Sequence, residues 1–281
     1  MAGTTVKRAP GARRTGVRVR AAASRRALTR VRTAAPERRE GAVGPVVASG
    51  ARLRGLDALR GVAILAMIAY HFCFDLRWFG LARFDFEQDP RWIAARSVIL
   101  GSFLFIAGIS LVLLLQRPDA PRRFARQVSR IVAAALLVTL ASYLAFPQRY
   151  IWFGVLHAIA VALLVAYPLA RHPRIAAVIG IAIVAAGLLI AHPVFDAPAL
   201  AWIGFMTHKP ATEDYVPLFP WAGLVLLGTA AGHALLRTHG RLLAPLERWP
   251  RLLAVLGRHS LLVYLVHQPL LIALLWLATH R

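Results

Sequence analysis

The chain has one cysteine, Cys73, in 281 residues. That excludes an intramolecular disulfide and any metal site built from several cysteines. Charged residues are also scarce, at 16% of the chain, against about 25% in an ordinary soluble protein. Acids are the scarcer sign: 12 Asp and Glu stand against 34 Lys and Arg, a net charge of +22. There is no P-loop, no G-x-S-x-G elbow and no H-E-x-x-H helix, which removes the mechanisms those motifs carry. No convincing internal repeat relates the first three apolar runs to the last three.

Apolar sequence takes up the space. Hydrophobic residues make up 58% of the chain and the mean hydropathy is positive. The long apolar runs predict an all-α integral membrane protein with about seven transmembrane helices, near residues 59–76, 97–116, 130–146, 151–170, 174–192, 218–236 and 259–279. Each approaches the ~20 residues a bilayer core requires, and helices satisfy their own backbone groups there.

The basic residues are unevenly placed. Residues 1–60 hold 15 of the 34 Lys and Arg and three acids. Residues 1–50 read as a disordered basic cytosolic tail, and residues 51–281 as the polytopic membrane domain. Anionic lipid is a partner that such a tail suits. Nucleic acid is disfavoured because no aromatics interleave the charges. A targeting peptide and a start codon placed too far upstream are further readings of the same stretch. With the N-terminus inside, the tail and the inner loops 117–130, 171–174 and 237–258 carry 27 of the 34 basic residues. Asp85, Glu87, Asp89, Asp196, Glu213 and Asp214 fall outside. The positive-inside rule therefore predicts a cytosolic N-terminus and an external C-terminus.

The first span carries a polar stripe. At 100° per residue, Asp57, Arg60, His71 and Asp75 share an arc of about 60°. Arg60 to His71 is about 16 Å along the axis. An ionisable group at the bilayer centre costs about 2.5–3.5 kcal/mol on insertion scales, so the stripe is expected to face the bundle interior. Read singly, Asp57 and Arg60 are interfacial anchors, and His71 and Asp75 a helix-end pair.

Other spans add polar groups. They are His157 in "YIWFGVLHAIA", and Ser260, Tyr264, His267 and Gln268 in "SLLVYLVHQPLL". Ser260, Tyr264 and His267 share a helix face. Each buried histidine taken alone reads as an interhelical contact. His71, His157 and His267 together point to a shared site. Trp221, with Trp152, Trp202 and Trp276, reads as an interfacial belt residue. Gly101, Ser102, Ala107, Gly108 and Ser110 read as small residues for close helix packing.

A neutral imidazole suits general-base work on a hydroxyl or amine, with Asp75 one turn from His71 to orient it. Arg60 suits a phosphate-bearing donor. A zinc site from His71, Asp75 and His157 is an alternative that requires the three to converge.

The stretch "RLRGLDALRGVAILAMIAYHFCFDL" resembles the opening helix of the transmembrane acyltransferase superfamily. "HFCFDL", "GSFLFIAGISLVL", "YIWFGVLHAIA", "DYVPLFPWAGLVLLG" and "SLLVYLVHQPLL" are similar to bacterial proteins of the heparan-alpha-glucosaminide N-acetyltransferase catalytic-domain-like family, and more distantly to the acyltransferase-3 family. The likeness covers about residues 52–279. It implies a multi-pass enzyme of a bacterial inner membrane, with no metal. Such an enzyme moves an acyl group, acetyl above all, from cytosolic acyl-CoA to an extracytoplasmic sugar, glycolipid or other cell-envelope acceptor. His71 and Asp75 are then the catalytic residues. Asp57, Arg60, His157, Asp214, Tyr215, Trp221, Tyr264 and His267 are expected to bind substrate. An oligomer is compatible with this reading. A small-solute or proton-coupled transporter, with the stripe as its path, is the alternative. A non-catalytic membrane partner recruiting proteins through its tail is another.

Overall fold

A computed structural model describes residues 53–280; the expectations for the basic tail lie outside these residues. Eight α-helices follow in order: α1 (Arg54–Trp78), α2 (Pro90–Leu115), α3 (Ala120–Ala145), α4 (Val155–Leu169), α5 (Pro173–Leu189), α6 (Leu218–Arg237), α7 (Arg251–Arg258) and α8 (Ser260–Thr279). Short 3₁₀ segments cover Pro193–Asp196 and Arg241–Arg248. There is no strand among the described residues.

Five helices (α1, α2, α3, α6 and α8) are long and apolar enough to cross a membrane. At 15 and 17 residues, α4 and α5 reach only about 23–26 Å, short of the ~30 Å hydrocarbon core. The chain is therefore a multi-pass membrane protein with five such helices and two shorter apolar ones, where the sequence predicts seven spans.

Helix boundaries depart from the hydropathy runs where local chemistry starts a helix early. Asp89 Oδ1 accepts the Arg91 backbone N–H at 2.8 Å and Pro90 follows it, so α2 begins seven residues before the expected span. Pro121 in the first turn does the same for α3, which starts at Ala120 rather than at residue 130. The expected inner loop 117–130 is thus mostly helix. Conversely, "YIWF" stays irregular and α4 waits until Val155.

Helix α6 is the hub and packs most extensively on α2 and α5. Glycines permit this approach. A Cβ at Gly108 would lie 2.0 Å from the Val225 carbonyl oxygen, and one at Gly228 2.1 Å from that of Phe105. The small-residue reading of Gly108 holds on these contacts. Leu104, Leu111, Leu163 and Leu226 fill the core between these helices. Outward faces stay apolar: Leu144 is 74% exposed on α3, Leu188 72% on α5 and Leu270 62% on α8. Exposed leucines on three helices suit lipid as the surrounding solvent.

On the other side of the bundle, α1 packs against α7, α8 and α2. Gly257 meets α1 backbone so closely that a Cβ there would sit 1.8 Å from the Asp57 carbonyl oxygen. This approach seats Arg258 beside the polar end of α1.

Candidate active site

The N-terminal ends of α1, α3 and α8 and the C-terminal half of α2 line a cavity of about 590 Å³. Its polar wall carries six arginines: Arg60, Arg117, Arg123, Arg126, Arg130 and Arg258. Asp57 is the acid among its lining residues. Arg123, Arg126 and Arg130 fall on one face of α3 by their i, i+3, i+7 spacing. The deeper wall is apolar, with Ile64, Ala107, Leu156 and Leu163, and the cavity reaches Val155 and Tyr264.

Arg60 is held in place. Its Nη1 donates to Asp57 Oδ1 at 3.3 Å and its Nη2 to Ser110 Oγ at 2.6 Å. Asp57, buried at 3% exposure, also faces Arg258 Nε at 3.4 Å. Ser110, expected only to pack, therefore fixes Arg60 and lines the cavity. At the rim, the Arg123 guanidinium holds the Asp119 carboxyl below the usual carboxylate range.

Farther along α1 lies a second polar group. The His71 and His267 rings meet edge-on with centroids 5.0 Å apart. Gln268 Nε2 donates to Asp75 Oδ1 at 2.7 Å. Among the described residues no hydrogen bond joins Asp75 to His71; the carboxylate is held by α8 instead. His267 donates from Nδ1 to the Tyr264 carbonyl oxygen at 2.7 Å. Tyr264 in turn donates its hydroxyl to Asp214 Oδ2 at 2.8 Å. The same Asp214 oxygen accepts the Val155 N–H at 3.2 Å. Burial pushes the Asp214 carboxyl above its usual range, against the pull of the Tyr264 hydroxyl.

Of the residues singled out in the sequence, Asp57, Arg60 and Tyr264 line the cavity, while His71, Asp75 and His267 form the deeper group. Tyr264 joins the two through its carbonyl oxygen on His267, and Asp214 holds the Tyr264 hydroxyl. Three sit elsewhere. His157 accepts the Gly154 N–H at Nδ1 and meets Thr139 Oγ1 through Nε2, both at 3.2 Å. One ring nitrogen thus serves the start of α4 and the other meets α3. Tyr215 donates its hydroxyl to the Ala201 carbonyl oxygen in the segment before α6. Trp221 packs in the apolar core with Leu100 and Leu224. The convergence of His71, Asp75 and His157 on a metal does not occur: among the described residues, no group of three or more His, Cys, Asp or Glu could hold one.

The arginines of α3 and Arg258 were absent from the expected site. A signal existed in the 123/126/130 spacing after Asp119 and Pro121. The low hydropathy of residues 117–130 hides it, because so charged a stretch looks like loop. Gln268 stood out as a mid-span polar residue, but nothing local pairs it with Asp75, 193 positions away.

No curated protein and no solved structure matches the chain. The family model described as heparan-alpha-glucosaminide N-acetyltransferase, catalytic, matches residues 52–269, a stretch that contains the arginine cavity and the His71–His267 contact. The chain belongs to the heparan-alpha-glucosaminide N-acetyltransferase catalytic-domain family of membrane acetyltransferases.

Proposed function

We propose that the protein takes an acetyl group from acyl-CoA at the cytosolic face and passes it to a sugar or envelope component on the opposite face of a bacterial inner membrane. The observation that carries this reading is the arginine-lined cavity ending at Tyr264. Coenzyme A is a phosphate-rich head on a long, mostly uncharged arm ending in a thioester. Guanidinium groups bind phosphate oxygens in pairs, which a lysine cannot do. The apolar inner wall suits the arm. A volume of about 590 Å³ falls within the ~300–1,000 Å³ of ligand pockets.

Sidedness follows from charge. The positive-inside rule puts the arginine end in the cytosol, where acyl-CoA is made. The thioester then lies beyond Ile64, at the level of His71 and His267. The acceptor meets it from the outer side, and family membership favours an aminosugar such as a glucosaminide. The transporter reading has no feature of its own in this geometry.

The test is binding and turnover by the purified full chain. Acetyl-CoA is expected to bind, and free CoA thiol to appear when a glucosaminide or an envelope fraction is added. Folded protein that binds no acyl-CoA would contradict the reading. Solute flux without thiol release would replace it with transport.

A further inference from the structure

Three buried side-chain atoms among the described residues lack a hydrogen-bond partner: Asp75 Oδ2, His267 Nε2 and Gln268 Oε1. They belong to one group. His267 meets His71, which stands one helical turn from Asp75 on α1, and Gln268 binds the other oxygen of Asp75. Such atoms are costly to bury. In natural proteins they gather where a ligand or a reaction completes them.

Their chemistry is uniform. The Tyr264 carbonyl oxygen can only accept, so His267 Nδ1 carries the hydrogen in the 2.7 Å contact. In a neutral ring, Nε2 then presents its lone pair. As a carboxylate, Asp75 can only accept from Gln268, so the amide nitrogen faces it and Oε1 remains as an acceptor. All three open atoms are therefore acceptors. What completes them is an N–H or O–H donor, and a nucleophile about to lose its proton is one.

We infer that His267, through Nε2, is the proton acceptor for the attacking nucleophile, with Asp75 and Gln268 holding that nucleophile beside it. This rests on the acetyl-transfer reading above. The nucleophile's N–H or O–H bond breaks, and the proton goes to Nε2. The nucleophile bonds to the thioester carbonyl carbon and the C–S bond breaks. The imidazolium then protonates the departing thiolate, leaving acetylated acceptor, CoA thiol and neutral His267. His267 suits the role better than His71. Its tautomer is fixed by a carbonyl, whereas among the described residues no hydrogen bond orients the His71 ring. It also lies one helical turn beyond Tyr264, the deep end of the cavity, about 4.5 Å along the axis. His71, edge-on to His267 at 5.0 Å, is a positioning residue.

His267→Asn tests this. The asparagine amide can keep the bond to the Tyr264 carbonyl but has nothing in place of Nε2. Transfer of labelled acetyl from acetyl-CoA to a glucosaminide or an envelope fraction should fall about 100-fold or more. Acetyl-CoA binding should stay within about twofold, because the arginines are untouched. Added imidazole should restore transfer in proportion to its concentration, which it would not do for a packing defect. A folded, donor-binding His267→Asn variant that transfers within about threefold of the native rate overturns the inference and leaves the acetyltransferase reading standing. If that variant does not accumulate, His71→Gln decides. About a tenth of native transfer or more supports His267, and less, with donor binding intact, assigns the proton to His71. Native protein that binds no acetyl-CoA and labels nothing overturns both readings.

Discussion

The Tyr264 hydroxyl, at the deep end of the arginine-lined cavity, donates to Asp214 Oδ2 at 2.8 Å. One hydrogen bond thus ties this cavity to the segment before α6, fifty residues away. Tyr264→Phe leaves the buried Asp214 carboxylate short of a donor. We expect a loss of about 1–3 kcal/mol, read as a lower melting temperature in detergent. An unchanged melting temperature would mean that solvent replaces the hydroxyl.

Asp214 itself should make stability depend on pH. Burial raises its carboxyl, so the folded chain holds that proton to higher pH than the unfolded chain. The stabilisation is complete below the unfolded value of about 3.9 and is lost as pH rises through the folded value. Asp214→Asn removes the titration and still accepts from Tyr264 and Val155. The melting temperature of the variant relative to native protein should therefore rise between pH 4 and pH 8. An equal difference at both pH values contradicts the assignment.

The arginines of α3 should act on the donor's phosphates. Arg126→Ala combined with Arg130→Ala is expected to weaken acetyl-CoA binding by about 10-fold or more, since hydrogen bonds to charged groups contribute about 1.5–3 kcal/mol. A short donor without phosphates, N-acetylcysteamine thioacetate, should be used equally well by both proteins. Equal loss with both donors would assign these arginines to folding rather than to phosphate.

Gly257 should tolerate no side chain. A Cβ there meets the Asp57 carbonyl oxygen at 1.8 Å, and that oxygen belongs to packed helix backbone. Gly257→Ala is expected to cost about 1–3 kcal/mol and to displace Arg258 from Asp57. Acetyl-CoA titration of the variant should show weakened binding, and native affinity would show that α7 adjusts freely.

The sequence made the membrane class and the polar stripe legible because both are local. A 3.6-residue period brings Asp57, Arg60, His71 and Asp75 onto one face, and the structure keeps that face inside, against α7 and α8. Pairings between helices were not legible. The i+4 spacing suggested that Asp75 serves His71, yet the carboxylate is held by Gln268 across the α1–α8 contact. His157 looked equivalent to His71 and His267 by depth. Depth does not give direction around the axis, and its nitrogens turn to the start of α4 and to Thr139 on α3. The arginine wall was hidden for a different reason. Hydropathy marks where a helix is greasy, so the charged first turns of α3 looked like loop.

The most direct measurement is sided turnover in proteoliposomes, with acetyl-CoA supplied only to the arginine face and a glucosaminide only to the other. The account predicts CoA thiol accumulating on the first side and acetylated sugar on the second, both lost in His267→Asn. Acetylated product only on the side of acetyl-CoA, or sugar crossing without thiol release, would contradict it.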